Sequence, residues 1–238
     1  MSKRAVILAG GQGSRLRPYT IVLPKPLMPV GEYPILEVIL RQLVGQGFDH
    51  VTLAVNYQAE IVRAFCGDGS RWGVRIDYSL ETTPLSTIAP LRLIKDLPET
   101  FLLMNGDVLT DLPMGKLYDE HVSQTRQFTI AAAERVNVVD YGVLHASENQ
   151  LVGFEEKPKL PYLVSMGVYI VNRSVLDHVP PGQKYGFDNL MLDMLAHKEP
   201  VYVHRYSGYW LDIGRVDDYM RAVDEFAERR KQLLPDEK

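Results

Sequence analysis

Residues 4–29 gather glycines and cations at a spacing that suits a polyphosphate. Gly10, Gly11 and Gly13 follow the apolar run of residues 5–9. Glycines let backbone amides turn inward and approach a ligand closely. Ser14, Arg15 and Arg17 add a hydroxyl and fixed positive charge, and guanidinium groups beside exposed amides favour phosphate oxygens. Lys25 stands between Pro24 and Pro26, which restrict the backbone on both sides and aim the ammonium group. A Walker A loop is excluded, because no Gly-Lys-Ser/Thr ends the run. A dinucleotide fingerprint is excluded too: Leu16 stands where its third glycine belongs, and no strand with an acidic end follows at the right distance. A plain Gly-rich turn with surface basic residues is the remaining alternative for the loop taken alone.

Acidic residues supply the second chemistry. Asp107 comes directly after an apolar strand expected over 101–104. In open parallel sheets, ligands bind beyond the carboxyl ends of strands. A carboxylate there can hold magnesium, which takes one or two carboxylates plus phosphate oxygens. Asp212 follows Tyr209, Trp210 and Leu211 and precedes the last expected helix. Either aspartate alone could be a helix cap; together, each at a strand end, they could share one ion. A Glu155-Glu156-Lys157 run is the third constellation, and such runs usually face solvent.

The full string Leu8-Ala9-Gly10-Gly11-Gln12-Gly13-Ser14-Arg15-Leu16-Arg17-Pro18, with Pro24-Lys25-Pro26-Leu27 downstream, resembles the signature of the sugar-1-phosphate nucleotidyltransferases. Asn105-Gly106-Asp107, Tyr141-Gly142-Val143, Glu156-Lys157-Pro158, Gly167 before Tyr169, and Trp210-Leu211-Asp212-Ile213-Gly214 carry the resemblance over residues 4–226. It implies a nucleotide site of Leu8, Ala9, Gly10, Gly11, Gly13, Ser14 and Arg15, with Glu81 and Ser86 near the base and ribose. Arg15, Lys25 and Asp107 would be catalytic: Arg15 on the leaving pyrophosphate, Lys25 bridging the reacting phosphates. Asp107 and Asp212 would hold Mg²⁺, and Gly142, Glu156, Lys157 and Gly167 would bind the sugar phosphate. The implied reaction joins an NTP to a sugar 1-phosphate, giving an NDP-sugar and pyrophosphate.

Within the family the match is best to the mannose-1-phosphate guanylyltransferase-like branch, so GTP is favoured. Guanine offers N1–H and a 2-amino group along one edge, and a carboxylate such as Glu81 can accept from both. A uridylyl- or thymidylyltransferase is the alternative. A non-catalytic sugar-nucleotide sensor is the alternative of another class, motivated by residues 86–90. There Ser86 and Ala89 replace two glycines of the family pattern, and Pro90 ends the motif. Ser86 is expected to cap a helix that carries Pro90 in its first turn and ends near Leu97. Ser165 replaces the usual asparagine of the motif around Gly167.

These residues need a scaffold. Apolar runs at 5–9, 51–55 and 101–104 alternate with helical spacing over 34–45 and 58–65. That alternation predicts an α/β fold: a Rossmann-like, mostly parallel sheet flanked by helices. The second half changes character, with strands at 127–133, 142–146, 151–157 and 163–171 and helices over 188–196 and 216–233. It reads as a mixed sugar-binding lobe, and the resemblance implies the nucleotide-diphospho-sugar transferase fold. The expectation is one domain, with residues 1–125 the nucleotide half and 126–238 the sugar half, and no C-terminal β-helix. A length of 238 residues allows a sizeable core. A net charge of -4 argues against nucleic acid as partner, so any phosphate site is a local basic patch. Cys66 is alone, which fits a reducing compartment. No membrane partner, a cytoplasmic location and a possible homodimer complete the expectations.

Overall fold

A computed structural model describes residues 2–235. The apolar runs become the middle of a seven-stranded sheet. Its strands are β1 (Lys3–Leu8), β2 (Phe48–Val55), β3 (Arg75–Leu80), β4 (Thr100–Asn105), β5 (Phe128–Val138), β6 (Lys159–Asn172) and β7 (Val201–Tyr206). They lie in the order β7-β5-β6-β4-β1-β2-β3. β1 pairs in parallel with β2 and β4, β2 with β3, and β7 with β5. Only β6, between β4 and β5, runs antiparallel.

The central runs lack polar alternation because the sheet is covered on both faces. Ala5 and Ile7 of β1 and Leu102 and Met104 of β4 enter one core. Val6, Phe101 and Leu103 enter the other. Successive side chains of a strand point to opposite faces, so a strand between two cores is apolar throughout. The larger core is closed by α1 (Ile35–Gly45), α2 (Ala59–Cys66), α3 (Met114–Ser123) and the last helix, α5 (Val216–Leu233). The smaller core takes Leu190 and Met194 from α4 (Phe187–Ala196) and Val175 and Leu176 from the 3₁₀ turn Arg173–His178.

Two local expectations are corrected. No α-helix forms over 91–97; Ala89–Leu93 is a short 3₁₀ turn. Pro90 brings no N–H, and the amides of Ile88 and Ala89 both donate to the Tyr185 carbonyl at 3.1 Å. Ser86 therefore caps nothing, and Ile88 holds the cap position. Helix α3 and strand β7 were not foreseen. α3 opens after Pro113, while β7 is an edge strand with no fully buried position.

Two small elements carry expected motifs. Gly142–Ser147 and Gln150–Glu156 form a solvent-exposed hairpin. Val108–Thr110 and Trp210–Asp212 form a short antiparallel ribbon.

Candidate active site

Strand order reverses between β1 and β4: β2 and β3 continue on one side, and β6, β5 and β7 on the other. Such a switch point opens a crevice beyond the carboxyl ends of the strands. Leu8 and Asn105 are register partners there, so the Gly-rich loop and Asp107 emerge side by side. The Gly106 N–H donates to the Leu8 carbonyl at 3.0 Å and locks the two ends together.

The loop is held from behind. Ala9 N–H donates to the Ala54 carbonyl at 2.8 Å, and Leu16 N–H to the Gly13 carbonyl at 2.8 Å. Thr20 Oγ1 donates to that same Gly13 carbonyl at 2.8 Å. Gly13 sits at φ +59, and a Cβ there would lie 2.7 Å from Thr20 Cγ2. Both facts require glycine. A Cβ on Gly10 would press on Asn56 at 3.1 Å, whereas Gly11 has open space around it. Ser14 and Arg15 are exposed in the 3₁₀ turn Ser14–Leu16, anchored by buried Leu16.

Lys25 is nine-tenths buried in the turn Lys25–Leu27, with Pro24 extended before it. Its Nζ forms an ion pair with Asp107 Oδ2. Asp107 Oδ1 is buried and has no hydrogen-bond partner. A buried carboxylate oxygen left unpaired is costly unless a cation or donor completes it. This oxygen is the observation that fits a divalent metal.

Asp212 arrives on the ribbon. Asp212 registers with Val108, and Ile213 N–H donates to the Asp107 carbonyl at 3.1 Å. Asp212 keeps part of its surface in solvent. Partial burial first, and the neighbouring Asp107 carboxylate second, push its pKa above the ordinary aspartate value, opposed by Lys25 and Arg15. A Cβ on Gly214 would lie 3.5 Å from Arg15 Nη1 and 3.6 Å from Asp212 Oδ2. Arg15, Asp212 and Asp107 thus converge from three segments far apart in sequence. None of the helix-cap roles open to Asp107 or Asp212 is used: the α5 cap is Arg215, whose N–H donates to Asp218 at 2.9 Å.

Two adjoining cavities occupy the crevice. One, of about 240 Å³, is walled by Leu8, Ala9, Gly11, Gly13, Ser14, Arg15, Lys25 and Asp107 with Gly214. The other, of about 450 Å³, is walled on one side by Gly10, Gly11 and Asn56 and on the other by Glu81, Ser86 and Thr87. They share Leu8, Gly11 and Asp107. Glu81 uses Oε1 to accept from the Leu85 N–H, so at most one of its oxygens faces a ligand unshared. The 85–89 segment is strapped to 185–187: Tyr185 N–H donates to the Leu85 carbonyl at 3.0 Å and Phe187 N–H to Thr87 Oγ1 at 2.9 Å.

The remaining expected residues lie elsewhere. Gly142 and Glu156 are cross-strand partners on the hairpin, and a Cβ on Gly142 would lie 3.3 Å from Glu156 Oε2. Lys157 is exposed just beyond. Gly167 packs against Asn105, 2.6 Å from its Nδ2 to a Cβ built on the glycine. Neither cavity wall includes Gly142, Glu156, Lys157 or Gly167. The walls do include Asn56 and Asn105, which were not picked out as site residues. Their signal was readable: each is the polar residue that ends or follows a buried parallel strand.

The nucleotidyl transferase family matches residues 4–229, and the chain belongs to that family. Among its relatives are the mannose-1-phosphate guanylyltransferase catalytic subunit beta of Drosophila melanogaster, 34% identical over 228 residues, and the UTP–glucose-1-phosphate uridylyltransferase of Synechocystis, 32% identical over 242 residues. Each alignment covers 92% of this chain, and the chain spans 62% of the length of each relative. Two solved structures share the fold. A Bacillus anthracis protein crystallised with sucrose superposes with a TM-score of 0.75 at 24% identity, covering all of this chain and 97% of the other. HddC of Yersinia pseudotuberculosis, crystallised with GMP-PN, gives 0.72 at 24% identity, covering 94% of this chain and 99% of the other. Among the described residues no helix is long and apolar enough to cross a membrane.

Proposed function

We propose that the chain transfers a nucleotidyl group from an NTP to a sugar 1-phosphate, releasing pyrophosphate. The carrying observation is the juxtaposition of a glycine loop, the Lys25–Asp107 ion pair and the unpartnered Asp107 Oδ1 at one switch point. A sugar-phosphate oxygen attacks the α-phosphorus in line, a new P–O bond forms, and the bond to pyrophosphate breaks. No general base is needed for an already ionised phosphate, so catalysis rests on positioning and charge neutralisation. Loop amides and Ser14 cradle the phosphates. Arg15 meets the departing pyrophosphate. Lys25 turns from Asp107 to the reacting phosphates once they enter.

Divalent-metal dependence is typical of the family. We assign Mg²⁺, held by Asp107 and Asp212, which when bound neutralises charge on the α-phosphate. Residues 1–125 supply the nucleotide side of the crevice. Gly142, Glu156, Lys157 and Gly167, from 126–238, supply the sugar-phosphate side.

GTP is the favoured nucleotide, supported by the guanylyltransferase relatives. Glu81 reads one guanine donor with its free oxygen; the Leu85 N–H on the other oxygen fixes its rotamer. The test is pyrophosphate release with GTP, UTP, dTTP, CTP and ATP against mannose 1-phosphate and glucose 1-phosphate. GTP is expected to win by at least about tenfold in kcat/KM, a difference of about 1.4 kcal/mol. Preference for UTP or dTTP would overturn the Glu81 role. Nucleotide binding with no turnover on any sugar phosphate would favour a sensor.

A further inference from the structure

Outside the crevice, one cluster has the composition of a transition-metal site. We propose that His178, Asp193 and His197 bind a zinc-class divalent cation that ties the end of α4 to the turn Arg173–His178. Asp193 and His197 are four residues apart at the helix end, so their side chains share a face. His178 closes the preceding 3₁₀ turn. One donor atom from each residue can be chosen so that all three lie within 4.8 Å of one another. Asp193 Oδ2 is 3.0 Å from His178 Nδ1, and Oδ1 is 3.5 Å from His197 Nδ1, whose hydrogen-bond partner at 2.9 Å is the Asp193 carbonyl. A tetrahedral ion with bonds of about 2.1 Å holds its donors about 3.4 Å apart. Exposed His197 can turn to complete that spacing.

The surroundings fit the same reading. His178 Nε2 lies 3.1 Å from Glu199 Oε2. Metal-bound imidazoles are oriented by just such a carboxylate on the far ring nitrogen. Two imidazoles beside a single carboxylate favour zinc over magnesium, which prefers oxygen donors.

The site also reaches the crevice. Tyr185 OH donates to Asp193 Oδ2 at 3.2 Å, and the Tyr185 carbonyl holds the amides of Ile88 and Ala89. A filled site therefore stiffens the strap over the second cavity.

The experiment is a Co²⁺ and Zn²⁺ titration of untagged, chelator-stripped protein in excess Mg²⁺, which saturates oxygen-rich sites. One Co²⁺ per chain with a tetrahedral visible absorption band is expected. Zn²⁺ should displace it and raise Tm; at a hundredfold excess over Kd the folding constant rises about a hundredfold. His178→Ala and His197→Ala should each weaken binding at least about tenfold, whereas Asp107→Asn should leave it unchanged. His197 is exposed, so that variant decides if His178→Ala fails to fold. Absence of the band, equal affinity in the His197→Ala protein, or loss of binding in Asp107→Asn would each overturn the proposal.

Discussion

At the scale of single residues, the site is built on a conflict between like charges. Asp107 has one oxygen on Lys25 and one on nothing, and Asp212 is placed where its neighbour opposes ionisation. A fold would not keep this arrangement for stability alone. An acid whose pKa is higher folded than unfolded makes the native state bind more protons. Stability then falls as pH rises from the ordinary aspartate range through the raised folded value, and at neutral pH ionised Asp212 is a burden. In chelator at pH 7, Asp212→Asn is therefore expected to raise Tm while abolishing turnover. Asp107→Asn should also remove turnover, by at least about a hundredfold, with the far-ultraviolet spectrum unchanged. A near-wild-type rate in either variant at limiting Mg²⁺ would remove the metal assignment. The two aspartates were legible from sequence because each follows an apolar strand. Their mutual contact was not, because 104 residues of chain separate 107 from 212 and only the ribbon pairing closes that gap.

At the scale of elements, the crevice depends on how tightly the ends of β1 and β4 are drawn together. A Cβ on Gly106 would stand 2.9 Å from the Leu8 carbonyl oxygen and 3.3 Å from Ile7 Cγ2. Both obstacles belong to β1, whose backbone is fixed by β2 on its other side. Gly106→Ala is expected to cost about 1–3 kcal/mol, the range for overpacking, and to cut kcat more than it raises the KM for GTP. Denaturant titration and steady-state kinetics measure both; unchanged kinetics would mean that the strand ends do not set the position of Asp107. The buried parallel strands were readable because short, unbroken apolar runs match strands covered on both faces. The 86–97 segment was misread for the opposite reason. Its propensities allow a helix, but its amides are captured by the carbonyl of Tyr185, nearly a hundred residues away, and nothing local announces that partner. The exposed edge strand β7 failed by a related route: its position beside β5 is a tertiary fact.

At the scale of the molecule, one question is whether the nucleotide and sugar halves are separate folding units. The sheet crosses the boundary: β6, from the second half, is hydrogen-bonded along β4, from the first. The last helix, α5, returns to the first core through Tyr219, Ala222 and Phe226. Tyr219 OH donates to the Pro29 carbonyl at 2.9 Å, beside the turn that carries Lys25. Gln42 Nε2 in α1 donates to the carbonyl of Leu233 at 2.9 Å. Losing either half would therefore open the other's core and release the site at once. The two tryptophans give an internal check. Trp72 packs under the Arg71 guanidinium, 3.7 Å from its ring, in the first half. Trp210 in the second donates from Nε1 to the Met166 carbonyl at 2.9 Å. Single-tryptophan variants, Trp72→Phe and Trp210→Phe, should report the same fluorescence midpoint in urea as circular dichroism, the signature of one cooperative transition. The hairpin Gly142–Glu156 stands apart, since its strands pair only with each other. Its amides should exchange with solvent far faster than those of β1 and β4, through local opening. Midpoints that separate by more than about 0.5 M urea, at the slopes usual for such proteins, would instead show two units that unfold in turn.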